Sequence, residues 1–124
     1  MKHLFVCSVG VTRSPEAVFV ANELASFYKI SPYEADYFGL DSGVAISKDV
    51  FQNYDLVIVM EECHKKDLME KYSVDEAKIR VLDIPDEHSR SESKLKDILD
   101  RVLLEKLQPI FKELSLKEKH ADGK

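Results

Sequence analysis

Four short apolar runs recur along this chain, and stretches with helical spacing separate them. The runs cover residues 4–6, 35–40, 56–60 and 79–82. Runs without polar alternation are typical of strands covered on both faces, as the strands of a parallel sheet are. The intervening segments are long enough to hold crossover helices. The sequence therefore predicts an α/β fold, a four-stranded parallel sheet flanked by helices on both faces.

The spacing of apolar residues between and after these runs predicts three helices. The first begins at Pro15, with Ser14 as its N-cap. A second helix is predicted over residues 61–72. The third and longest is expected to start near Ser91 or Ser93.

Size and composition fit one domain. The 124 residues can bury a single core, and 44% hydrophobic with 33% charged residues is an ordinary globular balance. We expect a single domain over residues 1–116 and a flexible tail over 117–124, where little apolar surface offsets the entropy of ordering. The net charge of -5 argues against nucleic-acid binding. No run suits a signal peptide or a membrane anchor, so we expect a cytoplasmic protein. We also expect it to be a monomer.

The segment after the first strand contains the residues suited to chemistry. Arg13 follows Cys7 at a distance of six positions. The loop between them consists of Ser8, Val9, Gly10, Val11 and Thr12. Backbone N–H groups of such a loop can converge on one tetrahedral anion at the positive end of the following helix. The spacing therefore predicts a phosphate-binding loop over residues 8–14, with Cys7 beneath the anion and the Arg13 guanidinium clamping it.

Cys7 can be interpreted in two ways. Taken alone, a cysteine at a strand end is commonly a small buried hydrophobe. The helix terminus, Arg13 and the hydroxyl of Ser14 would instead favour a thiolate. The same donors would hold the equatorial oxygens while phosphoryl charge redistributes. Gly10 can supply the positive φ that a converging loop needs.

Displacement by Cys7 also requires an acid, because an unprotonated leaving group departs as a strong base. Asp83 and Asp86 follow the fourth apolar run. In a parallel sheet, the segments after the strands border the same crevice. We expect Asp86 to be the acid and keep Asp83 as the second candidate, while a plain turn with solvated acids stays possible.

Together these residues resemble the low-molecular-weight protein tyrosine phosphatases. The signature of that family, Cys-x5-Arg-Ser after the first strand, reads here from Cys7 to Ser14. Residues 54–61 are similar to the family's apolar strand that ends in Met-Asp. Residues 81–86 are similar to its acid loop, in the Asp-Ile-Pro-Asp form of a short bacterial and archaeal-type subgroup. The resemblance covers most of residues 1 to 111.

This resemblance implies a cysteine-dependent phosphomonoester hydrolase, specifically a protein tyrosine phosphatase. Cys7 would form a phosphocysteine intermediate, Arg13 would clamp the phosphate, and Ser14 would steady the thiolate. Asp86 would donate a proton and then activate water. The implied substrate is a phosphorylated protein or a small phosphomonoester, with no cofactor and no metal. The segment over residues 40–53 is shorter than the corresponding segment of typical members, which helps form the wall of the substrate cleft. The preference for phosphotyrosine is therefore left open.

Two other functions stay open. A thiol-dependent arsenate reductase would use the same anion loop, but only Cys63 is left as a second cysteine. We expect Cys63 to be a semi-buried residue at the start of a helix. A non-catalytic phosphate- or phosphoprotein-binding module would keep the loop without an acid. The four histidines do not have ligand spacing, so the sequence predicts no metal site.

Overall fold

A computed structural model describes residues 1–8, 13–40, 47–84 and 93–122, with the backbone alone at residue 13 and over 93–98 and 118–122. Its four strands are parallel and form one sheet in the order β2-β1-β3-β4. The strands are β1 (Lys2–Cys7), β2 (Glu34–Gly39), β3 (Leu56–Val59) and β4 (Ile79–Val81). Each predicted apolar run coincides with one of these strands.

Three α-helices accompany the sheet in the described part of the chain: α1 (Arg13–Phe27), α2 (Glu62–Tyr72) and α3 (Ser93–Asp122). Two 3-10 helices, Lys48–Asn53 and Glu76–Lys78, precede β3 and β4. None of the described helices is both long and apolar enough to cross a membrane. The predicted N-cap role of Ser14 is wrong, because α1 already begins at Arg13 and Ser14 lies inside its first turn.

The last helix is longer than its apolar pattern indicated. α3 continues to Asp122, so residues 117–122 are helical. Nζ of Lys117 lies 3.4 Å from Oε1 of Glu113, one turn earlier. The flexibility expected for residues 117–124 stays a prediction.

Side chains of alternate strand residues point to opposite faces of the sheet and form two separate cores. Phe5 and Ile58 pack with α1 and α3, whose buried residues include Leu24 and Leu103. The buried residues of the other cluster come mainly from the sheet, the 3-10 helix Lys48–Asn53 and α2, and they include Leu4, Val6, Phe51, Val57, Val59 and Leu68. Helices therefore cover both faces, as predicted.

The carboxyl ends of the strands meet at one edge of the sheet. Met60, directly after β3, donates its N–H to the carbonyl of Val6 at 3.1 Å, beside the end of β1. Ile84 donates in turn to the carbonyl of Met60 at 2.7 Å. These bonds bring the segment after β4 to the edge at which Cys7 ends β1.

Candidate active site

Cys7 lies at the point where β1 meets the first turn of α1. Its side chain is 3% exposed, and its Sγ lies 3.0 Å from the Oγ of Ser14, which is also buried. Because Ser14 belongs to the first turn of α1, this contact brings the positive end of the helix to the sulfur. A hydroxyl donor and a helix N-terminus both stabilise a thiolate. The sulfur thus has polar surroundings within an otherwise apolar core.

The two serines at the ends of the predicted phosphate loop are in the described part of the chain. Ser8 is half-buried directly after Cys7, and Ser14 contacts the sulfur. Val9, Gly10, Val11 and Thr12 lie outside the described residues. Arg13 is the first residue of α1, and only its backbone is described. The converging N–H groups and the guanidinium clamp therefore stay predictions.

Ser8 makes a side-chain contact that the sequence analysis did not anticipate. Its Oγ lies 2.9 Å from Nε2 of His64, which is 56 positions away and 2% exposed. His64 is in the first turn of α2, and its Nδ1 accepts the backbone N–H of Glu61 at 3.0 Å. The only local signal was a polar residue three positions after Glu61, the N-cap of α2, which is the spacing of a capping box.

The start of α2 also contains a group of potential metal ligands. Within the residues that the structure describes, ligand atoms of Glu61, Cys63 and His64 lie within 4.8 Å of one another. Both ring nitrogens of His64 already have short polar contacts, so a cation there would replace one of them. Cys63 is the second residue of α2 and is exposed, so the prediction of a semi-buried side chain was wrong.

The segment after β4 has a residue with an unusual backbone conformation at Asp83. The backbone φ of Asp83 is 59°, a left-handed conformation that aspartate tolerates better than most residues. Its side chain is exposed, whereas the next residue, Ile84, is fully buried in the core on the α1 and α3 face. Ile84 thus anchors the start of the predicted acid loop beside Met60. Asp86 lies outside the described residues.

Comparison with solved structures identifies the fold. No protein-family model and no curated protein sequence matches this chain. The tyrosine phosphatase Wzb of Escherichia coli K30, solved with phosphate, superposes with a TM-score of 0.74 at 16% identity, covering 91% of this chain and 97% of that one. A low-molecular-weight protein tyrosine phosphatase of Bacillus subtilis superposes with a TM-score of 0.73 at 15% identity. The match covers 97% of this chain and 99% of that one.

A third similar structure is YwlE of Bacillus subtilis, an arginine phosphatase solved as a mutant with a phosphorylated active-site serine. That structure has a TM-score of 0.75 at 16% identity and covers 92% of this chain and 95% of its own. The chain therefore has the fold of the low-molecular-weight protein tyrosine phosphatases, which confirms the fold that the sequence resemblance implied.

Proposed function

We propose that this chain is a cysteine-dependent phosphomonoester hydrolase, a protein tyrosine phosphatase of the low-molecular-weight type. The observation that carries the proposal is the 3.0 Å contact between Cys7 Sγ and Ser14 Oγ at the N-terminus of α1. In this fold, that contact combines a nucleophilic atom, a hydroxyl that stabilises its anion, and a helix dipole suited to a phosphate. A buried structural cysteine would have no need of the last two.

In the first half-reaction, the Cys7 thiolate attacks phosphorus and the bond between phosphorus and the leaving oxygen breaks. The product of this step is a phosphocysteine, with the electron pair on the leaving alkoxide or phenoxide. Asp86, in its protonated form, gives that oxygen a proton. Arg13 and the N–H groups of the loop would hold the three equatorial oxygens as charge shifts between them.

In the second half-reaction, Asp86 acts as a base, because it has just lost its proton. It takes a proton from a water molecule, the water oxygen attacks phosphorus, and the bond between sulfur and phosphorus breaks. Inorganic phosphate leaves, Cys7 returns to the thiolate, and Asp86 is again protonated. The buried Ile84, which holds the start of the loop next to Met60, supports a carboxylic acid at this edge of the sheet.

The proposed substrates are phosphorylated proteins or small phosphomonoesters. Of the three similar structures described above, two are tyrosine phosphatases and one is an arginine phosphatase, so phosphotyrosine is the first substrate to test and phosphoarginine the second. A working thiolate needs a reducing compartment, which supports a cytoplasmic enzyme. We also propose that it acts as a monomer.

The test compares three proteins in the hydrolysis of para-nitrophenyl phosphate: the wild type, Cys7→Ser and Cys63→Ser. Cys63→Ser is the matched control, because it removes the other thiol from an exposed position. Loss of the nucleophile should reduce kcat by at least about a thousandfold, whereas the control should retain activity. Rapid acid quenching with labelled substrate should trap a phosphorylated chain in the wild type but none in Cys7→Ala, which has no side-chain atom that could accept the phosphoryl group.

The same assays separate the two alternative functions. A chain that binds phosphate but shows no turnover between pH 5 and 8 would be a binding module. A chain that reduces arsenate with a thiol donor, and loses this activity in Cys63→Ser, would be an arsenate reductase. Turnover of para-nitrophenyl phosphate that persists in Cys7→Ser would refute the proposed mechanism.

A further inference from the structure

We propose that His64 is a positioning residue for the phosphate-binding loop: it holds the side chain of Ser8, the first residue of that loop, in the conformation that receives a phosphoryl group. The inference rests on the function proposed above and assigns a role to a buried histidine that the two half-reactions do not use. It follows from three features of the contact between α2 and the end of β1.

The first feature is the protonation of the imidazole. Nδ1 of His64 accepts the backbone N–H of Glu61, so this nitrogen uses its lone pair in that bond and carries no proton. In a neutral imidazole the proton must then be on Nε2. The atom that lies 2.9 Å from Ser8 Oγ is therefore a donor, and the serine oxygen accepts. A backbone group of α2 thus determines the direction of the bond to Ser8.

The second feature is the effect of this bond on Ser8. Because Ser8 Oγ accepts from His64, its own hydroxyl proton is not used in this bond and is available to donate to another group. The bond also selects one rotamer for a half-buried side chain directly after Cys7. Restricting the first residue of an anion loop before binding lowers the ordering cost at binding, which is how preorganisation increases affinity.

The third feature is the rigidity of the support. His64 is nearly fully buried at the start of α2, which begins three residues after the end of β3. β3 pairs directly with β1, the strand that ends in Cys7. The imidazole is therefore held by the same sheet that carries the nucleophile. Because Ser8 and Cys7 are both held by this sheet, the start of the loop keeps a constant position relative to the sulfur.

Two amide variants separate the contact with Ser8 from the contact with α2. In His64→Asn the side-chain oxygen can replace Nδ1 as the acceptor for Glu61, but the amide is too short to reach Ser8. In His64→Gln the longer amide can donate to Ser8 from the Nε2 position. Ser8→Ala removes the acceptor, and Cys63→Ser is the control for a change in the same helical turn.

For each variant, calorimetry gives the Kd for inorganic phosphate, para-nitrophenyl phosphate gives kcat and KM, and urea titration gives stability. His64→Asn and Ser8→Ala should each weaken phosphate binding and lower kcat/KM by about fivefold, the effect of one neutral hydrogen bond. The double variant should be no weaker than either single one. His64→Gln should stay within about twofold of the wild type.

Other outcomes would overturn the inference. Equal losses in His64→Asn and His64→Gln, or additive losses in the double variant, would mean that His64 serves only the fold. Normal turnover and phosphate binding in His64→Asn would reject the positioning role alone. Cys7-independent turnover with the predicted pattern of phosphate binding would reject the hydrolase mechanism alone. A wild-type chain that binds no phosphate would reject both.

Discussion

Acidification should destabilise this protein through the buried imidazole of His3. This residue lies near the amino end of the inner strand β1, is 0% exposed, and has its Nδ1 3.0 Å from the hydroxyl oxygen of Tyr33. The rings of Tyr33 and Phe111 pack edge to face against the imidazole, with centroid distances of 5.1 and 5.8 Å. Burial is the main reason that the pKa of His3 falls from 6.5 to about 4, and the nearby Asp55 opposes the shift.

The sign and size of the effect follow from proton linkage. Below pH 6.5 the unfolded chain protonates this imidazole, whereas the folded chain does so only near pH 4. The unfolded state therefore binds more protons throughout this window, and stability falls as the pH falls. Each pKa unit corresponds to about 1.36 kcal/mol, so the shift from 6.5 to about 4 removes about 3 kcal/mol. The total free energy of unfolding of a typical domain is only about 5–15 kcal/mol.

The assay is urea unfolding at several pH values from 7 to 4.5, on the wild type and on His3→Phe and His3→Asn. Neither variant can titrate at this position, so both should lose less stability than the wild type across the window, whatever their stability at pH 7. NMR titration of the histidine rings should find one that protonates near pH 4. Parallel loss of stability in all three proteins, or a His3 ring that titrates near 6.5, would refute the reasoning.

Two further predictions concern the candidate site. Asp86→Asn should lower kcat by about a hundredfold or more on phenyl phosphate and less on esters with better leaving groups, while the matched Asp83→Asn keeps most activity; the reverse ranking would make Asp83 the acid. Ser14→Ala should lower kcat/KM about tenfold or more, since hydrogen bonds to charged groups are the stronger ones. In a Cys63→Ser background it should also slow alkylation of Cys7 by iodoacetamide, and an unchanged rate would contradict the proposed thiolate contact.

Local pattern was sufficient for the sheet and for one half of the candidate site. Apolar runs predicted all four strands. The inner strands β1 and β3 are mostly apolar because both of their faces are covered, whereas the edge strands β2 and β4 include the exposed Asp36 and Arg80. The proximity of Cys7 and Ser14 also follows from the chain itself, since a loop of a few residues between a strand and a helix keeps its ends close. The same pattern misassigned Ser14 as an N-cap, because the hydroxyl contacts the sulfur instead.

Tertiary structure alone decided the surroundings of two histidines. The sequence contains no sign that His64 meets Ser8, because the strand order places the segment after β3 beside the end of β1 although the two are far apart along the chain. His3 is buried for a similar reason: Phe111, which packs on its ring, comes from the helix at the other end of the chain. Sequence determines which segments become strands and helices through local periodicity, whereas contacts between distant segments depend on how those elements pack.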